Sequence, residues 1–231
     1  MVLRIGRFGL PPILAYLYGF YNPVGDAIAV QVWLSTNGYN SQVSVVGAND
    51  IEVEYSSFAT TKPWVDGYNG ISNRPPFYNF GDASACPTTY TGTSQTCNHL
   101  QPYYTGPKWT QDNLWYVSAG VPSARALPQI YPQSGTPAQQ WYQISLYGSV
   151  IKGARILFVG ALTQYKACKD KAPNSYTMGT PPPCVNNDQI AEDGWRYLWT
   201  EIQKDTRTQQ VFSLYLLFSS DIRWEVPLEE Y

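Results

Sequence analysis

Two spacings of apolar residues alternate along this chain. Short apolar runs read as strands: Ile13 to Phe20, Val43 to Val46 with the alternating stretch after it, Pro76 to Gly81, Leu114 to Ser118, Ile156 to Gly160, Val211 to Phe218 and Asp221 to Trp224. Helical segments stand between them. Asn22-Pro23 supplies an N-cap and a proline at the first helical position, and Asn37-Gly38 ends a helix that reaches about Ser35. Asp66 to Tyr68 closes a short helix, and Trp109 to Asn113 starts a turn or short helix. Thr136-Pro137 opens another, through Ile144 to about Ile151. The longest runs from about Asp188 to Lys204, where Ile190, Gly194, Leu198 and Ile202 repeat every four residues beside Trp195 and Trp199. Strands alternating with helices predict an α/β fold.

The run Asn49-Asp50-Ile51-Glu52-Val53-Glu54-Tyr55 alternates acid and apolar residues. On a strand, Asp50, Glu52 and Glu54 share one face, about 7 Å apart in sequence, with Ile51, Val53 and Tyr55 on the other. Three carboxylates that close cannot all ionise without cost, so at least one pKa should rise. A protonated carboxyl beside an ionised one is what glycosidases use. The plainer alternative is an acidic solvent face on an ordinary strand. Other expected strands also end in a polar residue: Asp82, Ser118, Gln129 and Gln164. In α/β folds, chemistry gathers at that edge.

Composition narrows the functional classes. The 231 residues carry no recognisable linker and read as one domain, 1–231. Only 14% are charged, the net charge is −2, and no Lys or Arg cluster occurs, which argues against nucleic acid. Without Gly-x-Gly-x-x-Gly or a P-loop, nucleotide binding drops out. Nineteen Tyr, eight Trp and eight Phe favour a carbohydrate partner mildly, because aromatic faces stack on sugar rings but also fill cores. His99 is the sole histidine, so a His-rich metal centre is excluded; no Gly-x-Ser-x-Gly elbow accompanies it, and it reads as a surface loop residue. No metal or other cofactor is called for.

The cysteines form two local pairs, Cys86 with Cys97 and Cys168 with Cys184, each bracketing a turn-rich segment. Three connectivities are possible, and local pairing is the simplest. Zinc is disfavoured by the lack of Cys-x-x-Cys and of a second histidine. Disulfides imply an extracellular setting. The basic start, Met1 to Arg7, lacks a convincing export signal because Pro11-Pro12 breaks the apolar run behind it, so the chain reads as a processed or truncated piece of a secreted protein. No apolar segment is long enough for a transmembrane helix.

Several motifs carry a family likeness: Gly38-Tyr39-Asn40-Ser41-Gln42-Val43 leading into Gly47-Ala48-Asn49-Asp50-Ile51-Glu52, Trp64-Val65-Asp66-Gly67-Tyr68, Tyr78-Asn79-Phe80-Gly81, Cys86-Pro87, Trp115-Tyr116-Val117-Ser118 and Gln140-Trp141-Tyr142-Gln143-Ile144-Ser145. Gly160-Ala161-Leu162-Thr163-Gln164-Tyr165 and Ser220-Asp221-Ile222-Arg223-Trp224 continue it, so that it spans about Tyr39 to Trp224. With these motifs the chain resembles secreted bacterial proteins of uncharacterised function in the TIM-barrel glycoside-hydrolase-like superfamily. The resemblance implies an α/β barrel, and the six or seven strands counted here make that barrel incomplete or N-terminally truncated. It differs in two places. Relatives commonly have Pro-Glu-Ile-Tyr where this chain has Pro128-Gln129-Ile130-Tyr131, and Gly-Ser-x-Asp-Gly-Cys-Pro where it has Gly81-Asp82-Ala83-Ser84-Ala85-Cys86-Pro87.

The resemblance makes Glu52 the candidate general acid or nucleophile, with Asp50 or Asp82 as its partner, and Glu54, Tyr78, Trp115, Gln129 and Tyr131 lining a sugar site. Arg155 and Arg223 are available to hold the carboxylates in a structural network instead. The implied function is that of an extracellular protein acting on or recognising a polysaccharide or cell-wall glycan through carboxylates at strand ends. The alternatives are a non-catalytic barrel that binds glycan or a surface partner, and a purely structural surface protein.

Overall fold

Among the described residues each strand lies beside the next one in chain order, and all of them run parallel. The structure, a computed structural model, describes residues 2–5, 23–39, 44–100, 104–171, 189–210 and 219–221. Strands β1 (Val2–Ile5), β2 (Ser44–Asn49), β3 (Phe77–Asn79) and β4 (Ala124–Ala126) form one sheet in the order β1-β2-β3-β4. Strands β5 (Ala161–Thr163) and β6 (Ser219–Asp221) form a second. Two parallel bridges, Ala126 with Phe158 and Gln129 with Leu162, lie between the two sheets. Helices fill the crossovers, as parallel neighbours require: α1 (Pro23–Thr36), α2 (Phe58–Gly70), α3 (Gln111–Trp115), α4 (Thr136–Tyr147), α5 (Tyr165–Lys171) and α6 (Ala191–Ile202). Both α3 and α4 run on into a π turn, Tyr116–Gly120 and Gly148–Lys152.

The expected TIM barrel is corrected by this topology. Among the described residues no eight-stranded barrel is evident, only a small parallel sheet of four strands and another of two in a mixed α/β arrangement. A closed barrel needs every strand laddered on both edges. Between β4 and β5 the pairing is reduced to isolated bridges. Ala126 N donates to Leu157 O, Val159 N to Ala126 O, Leu162 N to Pro128 O and Ile130 N to Leu162 O, while Pro128 itself has no N–H to donate.

Several helices follow their sequence signals. α1 begins at Pro23 and ends before Gly38, whose φ of 77° suits a residue without a side chain. α4 begins at Thr136-Pro137, and α6 buries Gly194, Trp195, Leu198 and Ile202. The expected strand Leu114 to Ser118 is helical instead. Thr110 caps α3 by accepting from Asn113 N, while Asn113 Oδ1 accepts from Thr110 N. That capping box starts a helix whose buried Leu114, Val117 and Ser118 recur at helical spacing. The strand expected at Ile156 to Gly160 is displaced to β5, with only a bridge at Phe158. Ile13 to Phe20, Val211 to Phe218 and Ile222 to Trp224 lie outside the described residues.

The side chains of the strands sort into two clusters, one on each face. Phe77, Ala124, Ala126, Phe158 and Ala161 pack with Trp141, Ile144, Leu198 and Ile202 of the helices in the main core. The alternate residues Ala48, Phe80, Leu127 and Leu162 form a smaller cluster with Tyr78, Tyr131 and Val159 on the opposite face. That second face leads to the acidic residues.

Cys86 and Cys97 are bridged, as local pairing predicts. Cys168 is also disulfide-bonded; Cys184 lies outside the described residues. Replacing both Cys86 and Cys97 by serine is expected to cost about 3 kcal/mol through the entropy regained by the unfolded chain, read as a lower urea midpoint. Among the described residues no helix is long and apolar enough to cross a membrane.

Candidate functional site

Three strands run off the sheet with polar residues on the face of the smaller cluster. Beyond Ala48 come Asp50 and Glu52, beyond Tyr78 and Phe80 comes Asp82, and beyond Leu127 come Gln129 and Tyr131. All lie beyond the carboxyl ends of β2, β3 and β4, where open α/β sheets bind ligands.

The acidic run is not a strand. β2 stops at Asn49, whose carbonyl accepts from Phe80 N at 3.0 Å, and residues 50–55 turn away from the ladder. Gly81 packs directly on the turning chain, where a Cβ would fall 1.9 Å from the Ile51 carbonyl oxygen. Ile51 and Val53 are buried in the main core, and Tyr55 is exposed rather than sharing their face. Two rings pin the turn: Tyr104 Oη donates to Val53 O at 3.0 Å and Trp109 Nε1 to Ser56 O at 2.6 Å.

The turn brings Asp50 and Glu52 to one donor. Gln129 Nε2 donates to Asp50 Oδ1 at 2.9 Å and to Glu52 Oε1 at 2.7 Å. Glu52 is buried and Asp50 partly so. Burial, then the charges of Asp50 and Asp82, raise Glu52 to about 9; burial and Asp82 raise Asp50 to about 7. Glu52 in turn lowers Asp50 as a neighbouring hydrogen-bond partner, and the two carboxyls titrate as one coupled pair that keeps a proton at neutral pH. Among the described residues no Lys or Arg forms an ion pair with Asp50, Glu52, Glu54 or Asp82. Arg155, available in the sequence for a structural network with them, is exposed, and Arg223 lies outside the described residues.

The other candidates divide. Asp82 is raised by burial although its Oδ1 accepts from Ser84 N at 3.2 Å. Glu54 stands at the rim, its Oε2 3.1 Å from His99 Nε2; burial raises its carboxyl and His99 opposes the rise. Tyr131 is half-buried, and burial with the carboxyls of Asp50, Glu52, Asp82 and Asp221 pushes its hydroxyl far up, leaving it a firm proton donor. Tyr78 lies in the same small cluster. Trp115 is not at this site: it belongs to the main core, donates from Nε1 to Ala154 O at 2.8 Å and carries Lys152 over its ring. Ser118 is buried against Asn79, which donates to its Oγ at 3.0 Å. Gln164 is buried.

Two residues at the site escaped the sequence reading. His99 looked like a surface residue, but it lies two positions after Cys97, and Asp82 lies four before Cys86, so the bridge brings both stems to one place. Asp221 was read only as the start of a strand; at the end of β6 it accepts from Thr163 Oγ1 and Lys166 N and acts on Tyr131.

Removing the shared donor tests this arrangement. Gln129→Leu leaves two buried carboxyls without their amide partner, and a loss of about 2 kcal/mol is expected at neutral pH, smaller at pH 5 where both carboxyls are protonated. Urea midpoints at the two pH values measure it.

Among the described residues no group of three or more His, Cys, Asp or Glu is arranged to hold a metal ion. No protein family, curated protein or solved structure matches this chain.

Proposed function

We propose that this is an extracellular glycoside-hydrolase-like protein that recognises and cleaves a polysaccharide, with Glu52 as general acid and a neighbouring carboxylate as its partner. The observation that carries the reading is the Gln129 amide joined to both Asp50 and Glu52, beyond the strand ends, in surroundings that keep a proton on the pair at neutral pH. A protonated carboxyl next to an ionisable one is the minimum that acid-catalysed glycoside cleavage needs. Tyr131 supplies a ring and a hydroxyl that feels the charges of Asp50, Glu52 and Asp82, and Tyr78 a second ring in the same cluster. The Cys86–Cys97 bridge supports an extracellular setting.

A second reading, a glycan-binding protein without hydrolytic activity, is favoured by the same clamp, because Gln129 satisfies both carboxyls from within the protein. The two readings separate when the oxidised protein and Glu52→Gln are incubated with bacterial wall and plant polysaccharides and released reducing ends are counted. Release by the parent and none by the variant is expected. Binding without release by either supports the second reading, and neither binding nor release overturns both.

A further inference from the structure

We infer that His99 is a positioning residue of this site, holding Glu54 by an ion pair so that Glu54, rather than Asp50, is the carboxylate that works opposite Glu52. The inference rests on the hydrolytic reading above and assigns the partner carboxylate within it.

The geometry of the imidazole carries the argument. Nε2 lies 3.1 Å from Glu54 Oε2, while Nδ1 faces the carbonyl oxygen of Leu100. A carbonyl oxygen only accepts, so Nδ1 carries a hydrogen. With Nδ1–H turned to Leu100, Nε2 is the ring atom that meets Glu54 Oε2, and the contact is an ion pair when Nε2 also carries a hydrogen. The pair is partly shielded, with the His99 and Glu54 side chains 25% and 24% exposed. His99 is no free-swinging side chain. Cys97, two residues before it, is bridged to Cys86 and donates from N to Trp109 O at 2.8 Å, and Asn98 N donates to Ala85 O at 2.9 Å.

The acids are thereby sorted. Among the described residues, the charged groups facing His99 are Glu54 and, at longer range, Asp82, and it favours the ionised form of both. Asp50 has no such cation. It meets Gln129 and the Glu52 proton, so ionising it competes with the other carboxyls around it. Glu52, two residues before Glu54, also favours its ionised form. Glu54 is therefore the carboxylate that carries charge at the rim, free of the Gln129 clamp.

The test follows the Glu54 carboxyl carbon by NMR through a pH titration of the oxidised protein, its His99→Gln and His99→Lys variants, with reducing-end release measured on the same samples and on Glu54→Gln. His99→Gln is expected to move the Glu54 midpoint up by about one pH unit and to lower kcat more than KM, with the acidic limb of the pH profile moving up in step. His99→Lys, which restores a cation, is expected to bring both back part of the way. A Glu54 midpoint unmoved in His99→Gln overturns the ion pair. Full hydrolysis by Glu54→Gln overturns its role as partner to Glu52. No release by the parent overturns the hydrolytic reading itself, a result separate from the titration.

Discussion

Glu52→Gln is expected to abolish hydrolysis and at the same time to stabilise the protein above neutral pH. Glutamine reproduces the shape and hydrogen bonding of a protonated glutamic acid, accepting from Gln129 and donating to Asp50, but cannot release a proton to a leaving group. Loss of a general acid lowers kcat by roughly 10²–10⁴-fold. The stability change follows from the direction of the two pKa shifts. Below the ordinary values of 3.8 and 4.5, Asp50 and Glu52 are protonated in folded and unfolded chains alike, and their contribution is intact. As pH rises the unfolded chain loses those protons first, so stability falls until pH passes about 7 for Asp50 and about 9 for Glu52. Glu52→Gln removes the larger part of that fall. Its gain over the parent should be near zero at pH 4 and reach a few kcal/mol by pH 9, read from urea midpoints. A variant less stable than the parent at pH 9 contradicts the account of the buried proton.

Gly81→Ala should be the most damaging small substitution. Its Cβ would fall 1.9 Å from the Ile51 carbonyl oxygen and 2.5 Å from the carbonyl carbon, both backbone atoms that no rotamer change can clear. The chain cannot slide aside at this point. Phe80 N is bound to Asn49 O at 3.0 Å, and Gln129 N to Gly81 O at 3.2 Å. The clash therefore pushes apart β3 and the turn that holds Asp50 and Glu52. A loss of about 3 kcal/mol is expected in urea unfolding. The displaced turn should also cost about 100-fold in hydrolysis wherever the protein remains folded, because an ångström of misplacement disrupts the reacting geometry. An unchanged urea midpoint contradicts this close approach.

Local signals made much of the helical framework legible. Pro23 and Gly38 bound α1, Thr136-Pro137 opens α4, and the repeat Gly194, Leu198, Ile202 marks the buried face of α6. The likelihood that Asp50, Glu52, Asp82 and Gln129 cluster was legible too, since each follows a strand in a parallel sheet. Long-range geometry was not. Gln129 and Asp50 are 79 positions apart, and nothing local says that one amide binds two acids. The acidic run looked like a strand because its alternation has a period of two. Tertiary packing of Gly81 against Ile51 and of Trp109 and Tyr104 on the turn bends it out of the sheet. Trp115 was misplaced along with its segment: the apolar run Leu114 to Ser118 suits either period, and the Thr110–Asn113 capping box decided for helix. Closure of a barrel was beyond any local reading, because it depends on pairing between strands far apart in the sequence.

The central claim, that a carboxyl pair beyond the strand ends keeps its proton at neutral pH and so can serve as an acid, is tested most directly by carbon-13 NMR titration of the Asp50 and Glu52 carboxyls, assigned with Glu52→Gln. The account predicts two coupled steps well above the ordinary carboxylate range, near 7 and 9. Two independent titrations near 4 would contradict it and leave Glu52 an ordinary ionised carboxylate with no proton to give.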